Sequence, residues 1–347
     1  MIHVGIAGIG FMGMIHFLAY QKVRGINVSA LCSRSSKKLA GDWRGIQGNF
    51  GPAGTKMNLS DITTWRKFDG LISDSGIDLV DICLPPDQHA EATIAALKAG
   101  KHVFCEKPMA LSTTDCGRMI KAAKKAGKLL MVGQVLPLFP EYAFAYKTIT
   151  SGRYGRVLGG HFKRVISDPL WLKDFYRPDR IGGPMIDLNV HDAHFIRLAF
   201  GMPTVVSTQG RMRGDVVEYF NSLFTFARRD LVVSVTGGVI DQQGRPFTHG
   251  YEIHLERAAL LYEFAVTDGE PRLLVPCTVL GGKGKVTQPR LGSGDPLDAF
   301  EQQVKAVAKS VRDGEPSPSL AADAARDAIR LCHQQTESAK RGRPVKI

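Results

Sequence analysis

One short stretch near the start constrains the chain more than any other. Residues 2–7 are almost wholly apolar, and Gly8-x-Gly10-x-x-Gly13 follows at once and opens a helical pattern. In a strand–turn–helix unit the first glycine makes the tight turn and the second admits a pyrophosphate against the backbone. The third lets the helix pack on its strand, while the helix N-terminus offers N–H groups and a positive dipole end to the phosphates. The spacing alone would mean little in a chain with 37 glycines. Its position between a strand and a helix makes dinucleotide binding the reading, with Gly8, Ile9, Gly10, Phe11, Met12 and Gly13 against the cofactor.

The pattern that follows supports such a unit. Strands are expected at 2–7, 27–32, 79–84, 102–105 and 129–134, with helices at 12–23, 88–99 and 113–126 between them. Strand–helix alternation at this spacing predicts a parallel, doubly wound sheet. Residues 43–56 interrupt it with four glycines and a proline, read as a loop insertion near the cofactor's adenosine end.

Beyond Gln134 the character changes. A helix is expected at 140–151, a strand at 156–167, an irregular Trp/Pro/Arg stretch and then one helix over 185–200. Consecutive strands at 205–210, 216–226, 231–237, 248–256, 259–266 and 273–280 should pair antiparallel, since no helices separate them. Helices at 297–313 and 321–340 finish the chain. The fold class is therefore α/β in two domains, 1–133 for the dinucleotide and 134–347 for substrate and self-association.

Composition narrows the function. The formal net charge is +12, but the basic residues are scattered, and no helix-turn-helix, zinc-finger or RNP-like motif accompanies them. A basic enzyme with a phosphorylated cofactor fits better than a nucleic-acid binder. No run of eighteen apolar residues occurs, so no membrane partner is expected. Six cysteines without a C-x-x-C pair read as buried thiols in a reducing compartment. With a start that lacks a basic leader pattern, this points to the cytoplasm. His191, His194 and an aspartate have workable metal spacing, but a further ligand is not evident and no metal is expected.

The second strand ends Leu31-Cys32-Ser33-Arg34, without the acid that normally accepts the ribose 2′-hydroxyl of NAD. Ser33 and Arg34, followed by Lys37 and Lys38, suit a 2′-phosphate, so NADP is favoured over NAD. An Arg34 that lies over the adenine would serve either cofactor.

Two further segments carry a resemblance. Val80-Asp-Ile-Cys-Leu-Pro-Pro-Asp-Gln-His89 precedes Ala99-Gly-Lys-His-Val-Phe-Cys-Glu106-Lys107-Pro108, and Gly182-Gly183-Pro-Met-Ile-Asp187-Leu-Asn-Val-His191-Asp192 follows. With the glycine fingerprint in front, the chain resembles the glucose–fructose oxidoreductase and inositol dehydrogenase (Gfo/Idh/MocA) family. The resemblance implies a Rossmann domain and an α/β domain whose open, mostly antiparallel sheet often builds a homodimer or homotetramer. It maps the family's catalytic lysine onto Lys107 and its aspartate and histidine onto Asp187 and His191. Leu84, Pro85, His89, Glu106 and Lys107 would border the cofactor.

The chemistry makes sense on its own terms. Lys107 follows a parallel-strand carboxyl end, where open α/β sheets place ligands. Pro108 stiffens its turn, with a cis bond open as one form. Asp187 and His191 stand four apart on the expected helix and share a face. In oxidation of a secondary alcohol, His191 takes the hydroxyl proton, Lys107 stabilises the alkoxide and Asp187 holds substrate or His191.

Two departures fall where substrate would be recognised: Leu84, where relatives usually carry threonine, and the apolar run Val135-Leu-Pro-Leu-Phe139-Pro140. Trp171 and Tyr176 either stack on a sugar ring or pack in the core. Lys163, Arg177 and Arg180 either bind an anionic substrate group or lie in solvent. The expected activity is an NAD(P)-dependent dehydrogenase of a sugar, polyol or sugar derivative. The alternatives are a glycosidase or lyase that oxidises only transiently with tightly bound NAD(H), and a non-catalytic cofactor-binding protein.

Overall fold

A computed structural model of the chain describes residues 1–48 and 50–347. Asn49, inside the stretch 43–56 expected as a loop, lies outside them. The apolar runs of the first half form β1 (Ile2–Ala7), β2 (Ile26–Cys32), β3 (Thr63–Trp65), β4 (Leu79–Ile82), β5 (His102–Glu106) and β6 (Leu130–Gly133). They make one sheet in the order β3-β2-β1-β4-β5-β6, every pair parallel. That is the doubly wound order, and β1 and β4 flank the point where the winding reverses. All four residues of β4 are buried, as in a strand covered on both faces.

The helices are α1 (Phe11–Gln21), α2 (Ser36–Leu39), α3 (Phe68–Ser73), α4 (His89–Lys98) and α5 (Thr113–Ala126). Local chemistry sets their ends. Ser112 caps α5 by accepting the Asp115 amide at 3.0 Å, and Gly127 ends it in the left-handed conformation. The elements β3, α2 and α3 are three to six residues long, too short for a periodic pattern, and were not expected.

The described residues of the stretch 43–56 are irregular, as expected of a loop, and several of them pack against other parts of the first unit. Trp43 is fully buried, packs edge-on against Phe17 of α1 at 5.0 Å, and its indole N–H donates to Lys38 O. Phe50 meets Phe11 at 4.8 Å and stacks on Phe300 at 5.4 Å.

The second half begins with α6 (Pro140–Thr150), β7 (Val157–Ser167), α7 (Gly183–Asp187) and α8 (Asn189–Phe200). Then come β8 (Val205–Arg213), β9 (Val216–Thr225), β10 (Val232–Ile240), β11 (Phe247–Leu255), β12 (Ala258–Thr267), β13 (Glu270–Gly281) and β14 (Val286–Thr287). Helices α9 (Leu297–Asp313) and α10 (Ala322–Arg341) and the short β15 (Val345–Lys346) close the chain.

The large sheet runs β14-β13-β12-β11-β7-β10-β9-β8-β15. The expectation that consecutive strands pair antiparallel holds except at one place. β10 and β11 are separated by β7, which pairs parallel with β10 and antiparallel with β11. The earlier strand β7 occupies the middle of the sheet, so the β10–β11 connection must step across it.

One sheet face is buried under helices. Phe162 of β7 meets Phe195 and Phe200 of α8 at 5.7 and 5.8 Å, and Arg164 forms a buried two-point ion pair with Asp192. The helix expected over 185–200 is interrupted at Leu188, so Asp187 ends α7 and His191 lies in the first turn of α8.

The chain divides into two compact units, 1–138 with 293–326 and 139–292 with 327–347. The boundary expected at 133/134 lies close to the first break, but 293–326 groups with the nucleotide-type sheet. The reason is α9, whose Val304, Val307 and Ala308 are buried in a stripe and pack beside α1. No helix among the described residues is long and apolar enough to cross a membrane.

Candidate functional site

In the first unit the glycine fingerprint forms the turn from β1 into α1. Gly8 has φ +102, and a Cβ there would meet Cys83 O at 2.5 Å. A Cβ on Gly13 would meet Gly8 O at 2.0 Å. A Cβ on Gly10 would meet none of the described residues within 4 Å. The first and third glycines are therefore required by the fold itself, while the second leaves open space above the helix start. Gly10 has no side chain with which to cap α1, so among the described residues its first-turn N–H groups face that space with the helix dipole behind them. This cradle fits a pyrophosphate. Ile9 is buried, and Phe11 and Met12 are half-buried in the same turn.

At the end of β2, Ser33 is half-buried and Arg34 exposed. Ser33 Oγ accepts the Ser35 amide at 3.2 Å, and the Arg34 carbonyl accepts from Arg66. Of the two lysines that follow, Lys38 donates its Nζ to Ile9 O at 2.6 Å, tying a cation to the glycine turn. Lys37 instead faces Asp42 at 3.5 Å.

Two strands on, Leu84 and Pro85 follow β4, and on the same carboxyl edge Glu106 ends β5 with Lys107 directly after it. Lys107 is half-buried, and the Lys107–Pro108 peptide is cis. His89 does not present its ring to a ligand. It is 1% exposed, with Nδ1 2.8 Å from Pro108 O and Nε2 2.7 Å from Leu84 O. Burial outweighs both carbonyls and pulls its pKa below 6.5, so the neutral ring donates to one carbonyl at a time.

Glu106 is likewise buried, and one of its oxygens accepts the Lys107 amide at 3.0 Å. Beneath it lies a cluster that the sequence does not bring together: His16 and Asp81 in contact with Glu106. The available signal was Asp81 itself, an acid in an otherwise apolar parallel strand, where only a paired charge is tolerated.

In the second unit Gly182 and Gly183 have φ +91 and +70, and Cβ atoms there would strike Ile186 and Val216. The glycine pair thus allows α7 to start tight against β9. Asp187 and His191 are both half-buried, on either side of Leu188. The Arg164–Asp192 pair anchors α8 directly after His191. His194 is buried and held neutral, its pKa pushed down to about 3 by burial and Arg197.

Lys163 is not brought to that helix. It alternates with Phe162 and Arg164, which face α8, so it points to the opposite face of the sheet and pairs with Glu263 at 2.5 Å. Trp171 is 74% exposed. Tyr176 packs against Ile166, Phe175 and Val239, donates to Asp168 at 2.9 Å and lies under Arg213 at 3.9 Å. Arg180 is half-exposed and 3.9 Å from Asp174, and Arg177 pairs with Asp179.

Comparison with known proteins follows the same two units. Residues 2–134 match the oxidoreductase family with an NAD-binding Rossmann fold, and residues 142–261 match the GFO/IDH/MocA C-terminal domain. Myo-inositol 2-dehydrogenase of Thermotoga maritima is 24% identical over all of this chain and 98% of its own length. The 2,7-anhydro-N-acetylneuraminate hydratase of Escherichia coli is 33% identical over 166 residues, 47% of this chain but only 40% of that protein.

Among solved structures, levoglucosan dehydrogenase with NADH and levoglucosan superposes with a TM-score of 0.79 at 21% identity, covering 100% of this chain and 99% of that one. An Agrobacterium radiobacter oxidoreductase with NAD+, L-tartaric acid and magnesium gives 0.80 at 18%, covering 99% and 98%. At such identities the structures speak for the fold, while the two matched domains account for most of the sequence: the chain belongs to the Gfo/Idh/MocA oxidoreductase family.

Proposed function

We propose that the chain is an NAD(P)-dependent dehydrogenase acting on a secondary alcohol of a sugar, polyol or sugar derivative. The observation that carries this reading lies in the first unit. An open cradle over Gly10 and a half-buried lysine stand on one carboxyl edge of a parallel sheet, with β4 between their strands. Relatives named for inositol and levoglucosan oxidation support the substrate class.

When bound, the nicotinamide exchanges a hydride with the substrate carbon. Lys107 stabilises the alkoxide by its positive charge, and His191 removes or returns the hydroxyl proton. Asp187 orients His191 or the substrate. The absence of an acid after β2, with Ser33, Arg34 and Lys38 in its place, favours NADP over NAD.

The test is a panel of inositols, aldoses and anhydro sugars with NAD+ or NADP+, followed by reduced-nicotinamide absorbance. Turnover on at least one polyol or sugar is expected. Cofactor binding without turnover on any of them would contradict the proposal. The hydratase among the relatives supports one second reading, in which tightly held cofactor oxidises the sugar only transiently before elimination or addition of water. Product formation without net reduced cofactor would select it.

A homodimer or homotetramer is part of the proposal, supported by Leu223 and Val232 exposed on the outer sheet face at 47% and 60%. A monomer by light scattering would contradict that part. The six free cysteines accord with a cytoplasmic setting.

A further inference from the structure

A buried line of charge runs from the glycine-turn helix to the lysine turn, and the proposed chemistry does not use it. His16 lies on α1, three residues after Gly13, and is 0% exposed. Its Nδ1 is 2.8 Å from Asp81 Oδ2 on β4. Its Nε2 is 3.0 Å from Glu106 Oε1 at the end of β5, an ion-pair contact rather than an aligned hydrogen bond. The other oxygen of Glu106 accepts the Lys107 amide at 3.0 Å. The ring is stacked on Phe104 at 5.2 Å and tilted against Phe300 of α9. Cys83 donates to Asp81 at 3.4 Å, and burial and Asp81 together keep the Tyr20 phenol protonated.

A neutral imidazole has one N–H, whereas an imidazolium has two, one for each carboxylate. Burial works against that charge, but Asp81 and the hydrogen bonds around it overcome the burial and hold the His16 pKa well above 6.5. The donor atoms of His16, Asp81 and Cys83 also lie within 4.8 Å of one another, a spacing seen in metal sites. The 2.8 Å contact argues for a proton instead. Two ligands of a tetrahedral zinc, each about 2.1 Å from the ion, stand roughly 3.4 Å apart.

We infer that His16 is a positioning residue: a buried imidazolium between Asp81 and Glu106 that fixes the carboxylate gripping the Lys107 amide. It rests on the reading of Lys107 as the residue that stabilises the alkoxide. Through Glu106, the helix that begins at the cofactor cradle sets where the lysine turn sits.

Two measurements test it. In the full-length protein labelled with nitrogen-15 histidine, the His16 ring is assigned through its contact with Phe104. Both ring nitrogens should be protonated at neutral pH, and one bare nitrogen would overturn the inference. The second is a cycle of His16→Gln, Glu106→Gln and the double variant. Each single change should lower kcat by about 10- to 100-fold, as loss of an orienting partner does, and His16→Gln should leave the NADPH Kd within about threefold.

The double variant should lose no more than the worse single one, because both act through one carboxylate. Additive losses, or a His16→Gln kcat within about twofold of the wild type, would overturn it. A purely structural His16 would instead lower stability and weaken nucleotide binding together. A wild-type chain that oxidises no substrate would overturn the dehydrogenase reading and the catalytic half of this inference. The spectrum would still decide whether the clamp exists.

Discussion

At the scale of the residue, each proposed role has a measurable consequence. Lys107→Ala should lower kcat by about 10²- to 10⁴-fold while NADPH still binds, because the charge matters most as the alkoxide forms. Steady-state kinetics beside a binding titration separates the two effects, and unchanged kcat would remove Lys107 from the chemistry. His191→Asn should likewise cost about 10²- to 10⁴-fold, the usual worth of a general base.

Buried His194 gives a prediction in pH. Its folded pKa of about 3 lies below the ordinary 6.5, so below pH 6.5 the unfolded chain takes up a proton that the folded chain refuses. Its contribution is complete above pH 6.5 and is lost progressively as pH falls towards 3, by at most about 1.4 kcal/mol per unit. Urea denaturation across that range should show the decline, and His194→Leu should flatten it. An equally steep decline in the variant would assign the effect elsewhere.

At the scale of the element, the glycine turn separates fold from function. Gly10→Ala should leave unfolding free energy within about 0.5 kcal/mol, since its Cβ meets no atom of the described residues within 4 Å. It should nevertheless weaken nucleotide binding by at least about tenfold, because the methyl takes the pyrophosphate's place. Gly13→Ala should destabilise the chain outright by its clash with Gly8 O. Equal effects of the two substitutions on stability would contradict the cradle. In the second unit, Asp192→Ala should cost about 3–5 kcal/mol, because it leaves the Arg164 guanidinium buried without its partner.

Long elements with strong periodicity, such as α5, α9 and the longer β-strands, were legible from the sequence. The break at Leu188 was not, because both halves keep a helical pattern and only the backbone angles change. Strand β7 between β10 and β11 was equally hidden, since residue patterns record which face is buried but not which strand lies alongside.

At the scale of the molecule, what could be read was where the motifs fall in the fold: Gly8 to Gly13 at the β1–α1 turn, Glu106 to Pro108 at the end of β5, and Gly182 to His191 across α7 and α8. What could not be read was the wiring between motifs. Lys163 illustrates the limit, since one residue of strand phase sends it to the face away from α8, where it pairs with Glu263. The Trp171–Arg180 segment shows the same limit, because its aromatic and basic residues could belong to a ligand or to one another. Tyr176 in fact lies between Asp168 and Arg213.

Cofactor choice belongs to this scale as well, because it depends on the summed charge near the end of β2. Arg34→Asp should lower the affinity for NADPH relative to NADH by at least about tenfold, since a carboxylate there repels a 2′-phosphate and accepts a ribose hydroxyl. An unchanged ratio of the two Kd values would take Arg34 out of the cofactor site.

The most direct test of the whole account is calorimetric titration of the cofactor-free protein with NADPH and NADH. Saturable binding of one nicotinamide nucleotide per chain is expected, tighter for NADPH and weakened at least about tenfold in Gly10→Ala. Failure of both nucleotides to bind the wild-type chain would contradict it.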